Sequence, residues 1–321
     1  MPVTAAGAAL SSVAPILFVL ALGFGAGRAK AFDAGAISAL NTFVLTFALP
    51  CSLFVGTVKV KRAVVMGEMV LFGTLAVVML GMFAAVYLVA RHLAHRPGPD
   101  AAIQAIAVGF AAGPFYGPAL LGELYGTSSE VAVSLVTVVL NVTMVPITTI
   151  LIKVGLAHES GQAKGLAATV RHVLVKAVFG TPFVWAPLLA FALVLVGVSL
   201  PKVVLECLSL IGVATSGAAV FVAGLTVAAQ PFRLSWEVGL NVTLKNLVMP
   251  ALFAAVALAF GLRGGTLFGE GFLLSSLPTG PMAVLLATRY GRYRAQASST
   301  LAVSTVAMAV TVTLAVGIVH P

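Results

Sequence analysis

Charge is what this sequence has least of. Only 8% of its 321 residues are Asp, Glu, Lys or Arg, and just nine of those are acidic. A water-soluble domain cannot cover its surface with so few charges, so the composition excludes one. Cysteine is almost missing too. Cys51 and Cys207 stand in apolar surroundings without metal-ligand spacing, and buried unpaired thiols are the default. The histidines fall at span ends or in loops (His92, His95, His158, His172) with no metal-ligand grouping, so no metal or other cofactor is expected. No basic run interleaved with aromatics accompanies the net charge of +9, which speaks against nucleic acid as a partner. No Lys or Arg precedes the first apolar run, so the basic start of a secretory signal is missing and the run is read as a membrane helix.

What is present is apolar sequence: 60% of residues, with a mean hydropathy of +1.13. Runs long enough for the roughly 20 residues of a membrane helix recur throughout. Ten spans are expected, at about 9–27, 34–57, 63–91, 100–121, 129–153, 169–196, 202–227, 236–260, 266–289 and 295–319. The longest polar connection, "HESGQAKGLAATVRH" (158–172), divides them five and five. With the N-terminus outside, the cytoplasmic connections hold twelve Lys and Arg and the outer ones five. The charge bias therefore predicts both termini outside and the central loop in the cytoplasm. Two similar halves with an odd number of spans would insert in opposite directions.

The halves do echo each other. The fourth span contains "GPFYGPALLGELYG" (113–126) and the ninth "LPTGPMAVLLATRYG" (277–291), about 160 positions apart. Each has a proline, then Gly-Pro, then an apolar run, then Tyr-Gly. A weaker echo joins "ALPCSLFVG" (48–56) to "TSGAAVFVAG" (215–224). A proline within a helix costs ~3 kcal/mol or more, and the backbone groups it frees at membrane depth must be satisfied by protein or by water in a cavity. Matched interrupted spans in two halves point to a transport site, whose half-helix N-termini favour an anion. The bland alternative is a pair of ordinary proline kinks.

These residues resemble the auxin efflux carrier family, which includes bacterial malonate and malate carriers. The resemblance runs along essentially the whole chain. It is carried by "LNTFVLTFALPCSLF" (40–54), "GPFYGPALL" (113–121), "LKNLVMPALF" (244–253), "LPTGPMAVLLATRYG" (277–291) and "ASSTLAVSTV" (297–306). It implies an all-α polytopic membrane protein of ten transmembrane helices in two inverted five-helix repeats. Residues 1–157 would form the first repeat, 158–168 the cytoplasmic loop and 169–321 the second. Helices four and nine would be broken and cross at the substrate. Pro114, Gly117 and Pro118 would form one limb of that crossing and Pro278, Gly280 and Pro281 the other, with Pro50 alongside. Relatives place an Asn just before the first break. Here "GFAAGPFYG" (109–117) has none, so Gly113, Phe115 and Tyr116 stand in its place, and Tyr116, Thr279 and backbone amides would supply the polar contacts.

Acids within membranes usually mark ion coupling. Asp33, Asp100, Glu130 and Glu270 are expected near span ends, and Glu68 at the interface. Glu123 follows the first break by about a turn and a half, either as a proton carrier or as a residue of the outer mouth. H⁺ is the coupling ion these acids leave to consider, since they are too sparse for a carboxylate-built Na⁺ site. Lys245 falls near the cytoplasmic start of the eighth span, where snorkelling to the interface is the default and a counter-charge for a carboxylate the alternative. Asn41, Asn141 and Asn246 are within reach of the path or bond between helices. The small-residue run "GFGAG" (23–27) packs helices within one chain or between two, so a homodimer stays open.

Taken together, the residues favour a secondary transporter for a small organic anion, embedded in the lipid bilayer of the bacterial cytoplasmic membrane. A channel for small solutes is the alternative. A membrane-embedded enzyme would need a nucleophile with its base, or clustered ligands at depth, and none is found.

Overall fold

Backbone at membrane depth has no water to bond, so an apolar chain must close its hydrogen bonds within helices. The computed structural model, which describes residues 5–59, 62–126, 129–159, 180, 182–229 and 233–319, follows that rule. Its helices are α1 (Ala5–Arg28), α2 (Ala34–Val58), α3 (Arg62–Gly67), α4 (Met69–Leu93), α5 (Gly98–Gly109) and α6 (Gly113–Tyr125). The rest are α7 (Glu130–Glu159), α8 (Pro182–Val196), α9 (Lys202–Ala229), α10 (Trp236–Ala259), α11 (Gly265–Ser276), α12 (Met282–Tyr290) and α13 (Arg294–Val319). Among the described residues, six of these (α2, α4, α7, α9, α10 and α13) are long and apolar enough to cross a membrane alone. Residues 160–168 of the expected central loop and 169–179 of the sixth expected span lie outside the described residues.

Three helices carry a proline just after a π-helical turn and continue through it. Pro50 in α2, Pro146 in α7 and Pro250 in α10 each follow a π-helical turn (Val44–Ala48, Val139–Met144 and Leu244–Val248). Each proline would clash with the carbonyl four residues back. Widening the turn moves that carbonyl out of register: Leu49, Val145 and Met249 donate instead to Val44, Leu140 and Leu244, five residues back.

The two expected breaks are of another kind. The chain leaves helix between α5 and α6 and again between α11 and α12, and the extended residues of the breaks pair through an antiparallel bridge between Ala111 and Thr279. Glycines set other close approaches. A Cβ at Gly23 would lie 2.1 Å from the Phe221 carbonyl oxygen, and one at Gly224 2.3 Å from that of Leu20. The "GFGAG" run therefore packs α1 on α9 within one chain.

Polarity is inverted relative to a soluble protein. Leu210, Val306, Leu314 and Ile318 are exposed, while Ser275, Thr279, Ser299, Thr300 and Ser304 are buried. One end of the bundle is tied by charge. Arg292 pairs with Asp100 and Glu159 at 3.2 and 2.9 Å, and Arg96 with Glu237 at 2.8 Å. Arg292 thus holds α5 and α7 to the α12–α13 corner.

Three charged residues expected at span ends or at the interface are more deeply buried than such positions suggest. Lys245 is fully buried, because the carbonyl end of a half-helix receives its amino group. Glu68 and Glu270 are 3% and 2% exposed, covered by the packing of α4, α6, α10 and α11.

Candidate functional site

The crossing is built from backbone. The Ala112 N–H donates to the Pro278 carbonyl at 2.8 Å, and the Gly280 N–H to the Phe110 carbonyl at 2.9 Å. Each break therefore satisfies groups that the other's prolines and extended residues leave without helical partners. Gly280 must be glycine, since a Cβ there would lie 2.4 Å from the buried Phe110 ring.

Side chains close the two half-helix C-termini. The Thr279 hydroxyl donates to the Ala107 carbonyl at 2.8 Å in the last turn of α5. Lys245 donates to the Ser275 carbonyl at 2.9 Å in the last turn of α11, and its amino group also meets the Met249 sulfur at 3.2 Å. Final-turn carbonyls carry the negative end of the helix dipole, so an amino group is well placed there. The π-helical turn of α10 explains how: Lys245 and its neighbour Asn246 are both turned into the core. Asn246 in turn receives the Ser304 hydroxyl at 2.6 Å, and Ser304 receives the Thr279 N–H at 2.9 Å. The second break is thereby held from α10 and α13.

With those ends capped, α6 and α12 start inside the crossing and present their N-terminal turns to it. A cavity of about 10 Å³ sits there, lined by Asn41, Phe115, Tyr116, Thr226, Thr279 and Pro281 among others. It has room for about one water molecule, so the crossing is closed around it. A second cavity of about 340 Å³, open to the exterior, lies between α1, α6 and α9. Pro118 and exposed Glu123 line it, with Pro15, Val19 and Val220.

The structure sorts the residues that the sequence singles out. Phe115, Tyr116, Thr279 and Pro281 meet at the small cavity. Pro114, in the first turn of α6, and Pro278, within the second break, are buried. Gly113 and Gly117 face α7 instead, where a Cβ would lie 2.8 Å from Val136 and 2.9 Å from Val133. From α2 it is Asn41 that reaches the cavity, while Pro50 is buried about two and a half turns further on. The amide missing before the first break is thus present from another helix. Asn141 bonds its own helix at Thr137. The Asn246–Ser304 link is not legible in the sequence as a unit; its signal there is the Ser-rich start of the last span. Among the described residues no three His, Cys, Asp or Glu side chains gather as a metal site would need.

Comparison with known proteins decides the class. The family model described as membrane transport protein matches residues 8–316. The chain belongs to this family of membrane transport proteins. The resemblance to the auxin efflux carriers is thereby borne out. Among the similar family members is YfdV of Escherichia coli, described as an uncharacterised transporter. It is 31% identical over 307 residues, which is 95% of this chain and 96% of that protein. A more distant one is a putative malonate transporter of Rhizobium meliloti, 24% identical over 306 residues, 94% of this chain and 92% of the other. The chain is a multi-pass membrane transporter of a small solute rather than an enzyme.

Proposed function

We propose that this transporter moves a small organic anion, a malonate- or malate-like carboxylate, across the bacterial cytoplasmic membrane by alternating access. The carrying observation is the pairing of the two breaks, which sets two helix N-termini at one crossing beside Asn41, Tyr116 and Thr279. Orphan N–H groups and the dipole at such ends suit a carboxylate. The relative described as a putative malonate transporter favours the same class. Residues 1–157 and 169–321 form two inverted five-helix repeats joined by the 158–168 loop, each contributing one broken helix. Termini lie outside, so the arginine-tied end faces the cytoplasm. A crossing closed to about 10 Å³ beside an open cavity of about 340 Å³ fits one state of a gated cycle better than a continuous channel.

Counterflow in sealed proteoliposomes tests the proposal. Vesicles preloaded with unlabelled malonate or malate are expected to accumulate the labelled acid transiently and saturably. Linear, unsaturable flux would mark a channel, and no flux of any C3–C5 carboxylate would sink the anion reading.

A further inference from the structure

The crossing makes no use of the acids at the opposite end from the arginine ties. Glu270 sits in α11 between Gly269 and Gly271, and neither glycine has room for a side chain. A Cβ at 269 would lie 2.0 Å from the Tyr125 hydroxyl, and one at 271 would lie 2.2 Å from the Phe253 ring and 2.5 Å from Leu71. The neighbouring helices are therefore pressed against α11 on both sides of the carboxyl. Glu68, at the start of α4, is enclosed with it. The two residues are 2% and 3% exposed, and the Oε2 atom of each has no hydrogen-bond partner. They are near enough to repel each other, and Glu270 also acts on Tyr125 at the end of α6.

Other titratable groups do not relieve this. Among the described residues neither acid forms a salt bridge. Glu130 of α7 packs over Gly56 and has Lys59 close by. Lys245 of α10 is committed at the far end of α11. From α13 the Val319 side chain is what approaches Gly269. Glu123, on α6, lines the open cavity. An ionised carboxylate without a cation or a full set of donors is costly at such depth, and two that repel cannot both stay ionised. A hard metal cation would need six or more oxygen ligands, whereas two carboxyls and one phenol gather here.

We infer that Glu68 and Glu270 form a proton-binding site that couples transport to proton movement. The pair carries one proton, on one carboxyl or the other, and exchanges it with water at the outer end. Both broken helices touch this site, α11 through Glu270 and α6 through Tyr125. From Glu270 the first residue of the second break is about seven residues, or roughly 10 Å, along α11. A change in charge at the pair thus acts on the helix that carries half of the crossing. The coupling rests on the anion-transport reading, whereas the proton site stands without it.

Two measurements on the full-length protein separate them. Infrared spectra of detergent-solubilised protein, titrated from alkaline to acidic buffer, should show a protonated carboxylic C=O band persisting at neutral pH. That band should be lost in E68Q and in E270Q but not in E206Q, whose side chain is exposed. A band unchanged in both of the first two variants would overturn the proton site. So would its loss on adding Na⁺ at constant pH, which would make the pair a cation site. In proteoliposomes, malonate uptake should respond to an imposed pH gradient and lose that response in either variant; a full response in both would overturn the coupling. If the wild type moves no carboxylate at all, the transport reading fails while the infrared result still decides the site.

Discussion

At the residue scale, single atoms decide what the crossing tolerates. Gly280 lies against Phe110, a ring only 1% exposed and packed on every side. Adding one methyl there forces an overlap that the ring cannot escape. Gly280→Ala should therefore destabilise by about 1–3 kcal/mol, the usual cost of overpacking. Thermal unfolding in detergent should register it as a lowered midpoint. The cost should shrink when the same change is made in an F110A background, because the clash is then removed. An equal cost in both backgrounds would show that the clash is not its source. Residues were the least legible level of the sequence. A glycine beside a proline announces a bend, but not the ring that a Cβ would strike. Lys245 announces a charge near a helix start, for which snorkelling is the default and a counter-charge role the alternative. Its real partner, the Ser275 carbonyl, lies 30 residues away on a helix end that only the fold brings close. Asn41 lines the cavity, yet nothing local distinguishes it from Asn141, since the amide of each bonds a carbonyl four residues back on its own helix.

At the scale of elements, proline has two outcomes here, and the difference was partly readable. The breaks lie beside Pro114 and at Pro278 and Pro281, each accompanied by glycine, where the sequence places them, whereas Pro118 stands inside α6. The single prolines at 50, 146 and 250 do not stop their helices, since one π-helical turn absorbs each clash. Which partner the extended residues would find was not readable, because a backbone bridge can form between residues of any type. The second break has two restraints against becoming helix: the prolines at 278 and 281, and the hydrogen bonds to Phe110, Ala112 and Ser304. Removing a proline from a helix interior relieves about 3 kcal/mol. The double variant P278A/P281A should therefore let α11 run toward α12 and pull the bridge apart. Saturable uptake in proteoliposomes is expected to fall to the protein-free level, with helicity by circular dichroism unchanged or slightly raised. Uptake equal to the wild type would mean that the pairing of the breaks is dispensable.

At the scale of the whole molecule, the ends of the bundle carry the signs of a membrane protein. Composition and apolar runs made the class legible, because lipid imposes its demands on every helix at once. Threading is less direct, since charge bias in loops reports orientation only through its sum. The structure adds that the segments around Arg96, Asp100, Glu159, Glu237 and Arg292 gather at one end, each of them expected on the cytoplasmic side. Chain directions that disagree with the counted spans would have scattered these groups over both ends. Which end faces the cytoplasm can be tested with the chain's own scarcity of thiols. Cys207 is exposed and Cys51 half-buried, so a C51S/C207S background removes both. Single cysteines then go at exposed positions on opposite sides of the second broken span, R263C before α11 and R289C near the end of α12. A membrane-impermeant maleimide should label R263C in intact cells and R289C only after the membrane is opened. The reverse pattern would place both termini inside and turn the Glu68–Glu270 pair toward the cytoplasm. Labelling of both in intact cells would mean that the broken span does not cross, and the two-repeat architecture would fall with it.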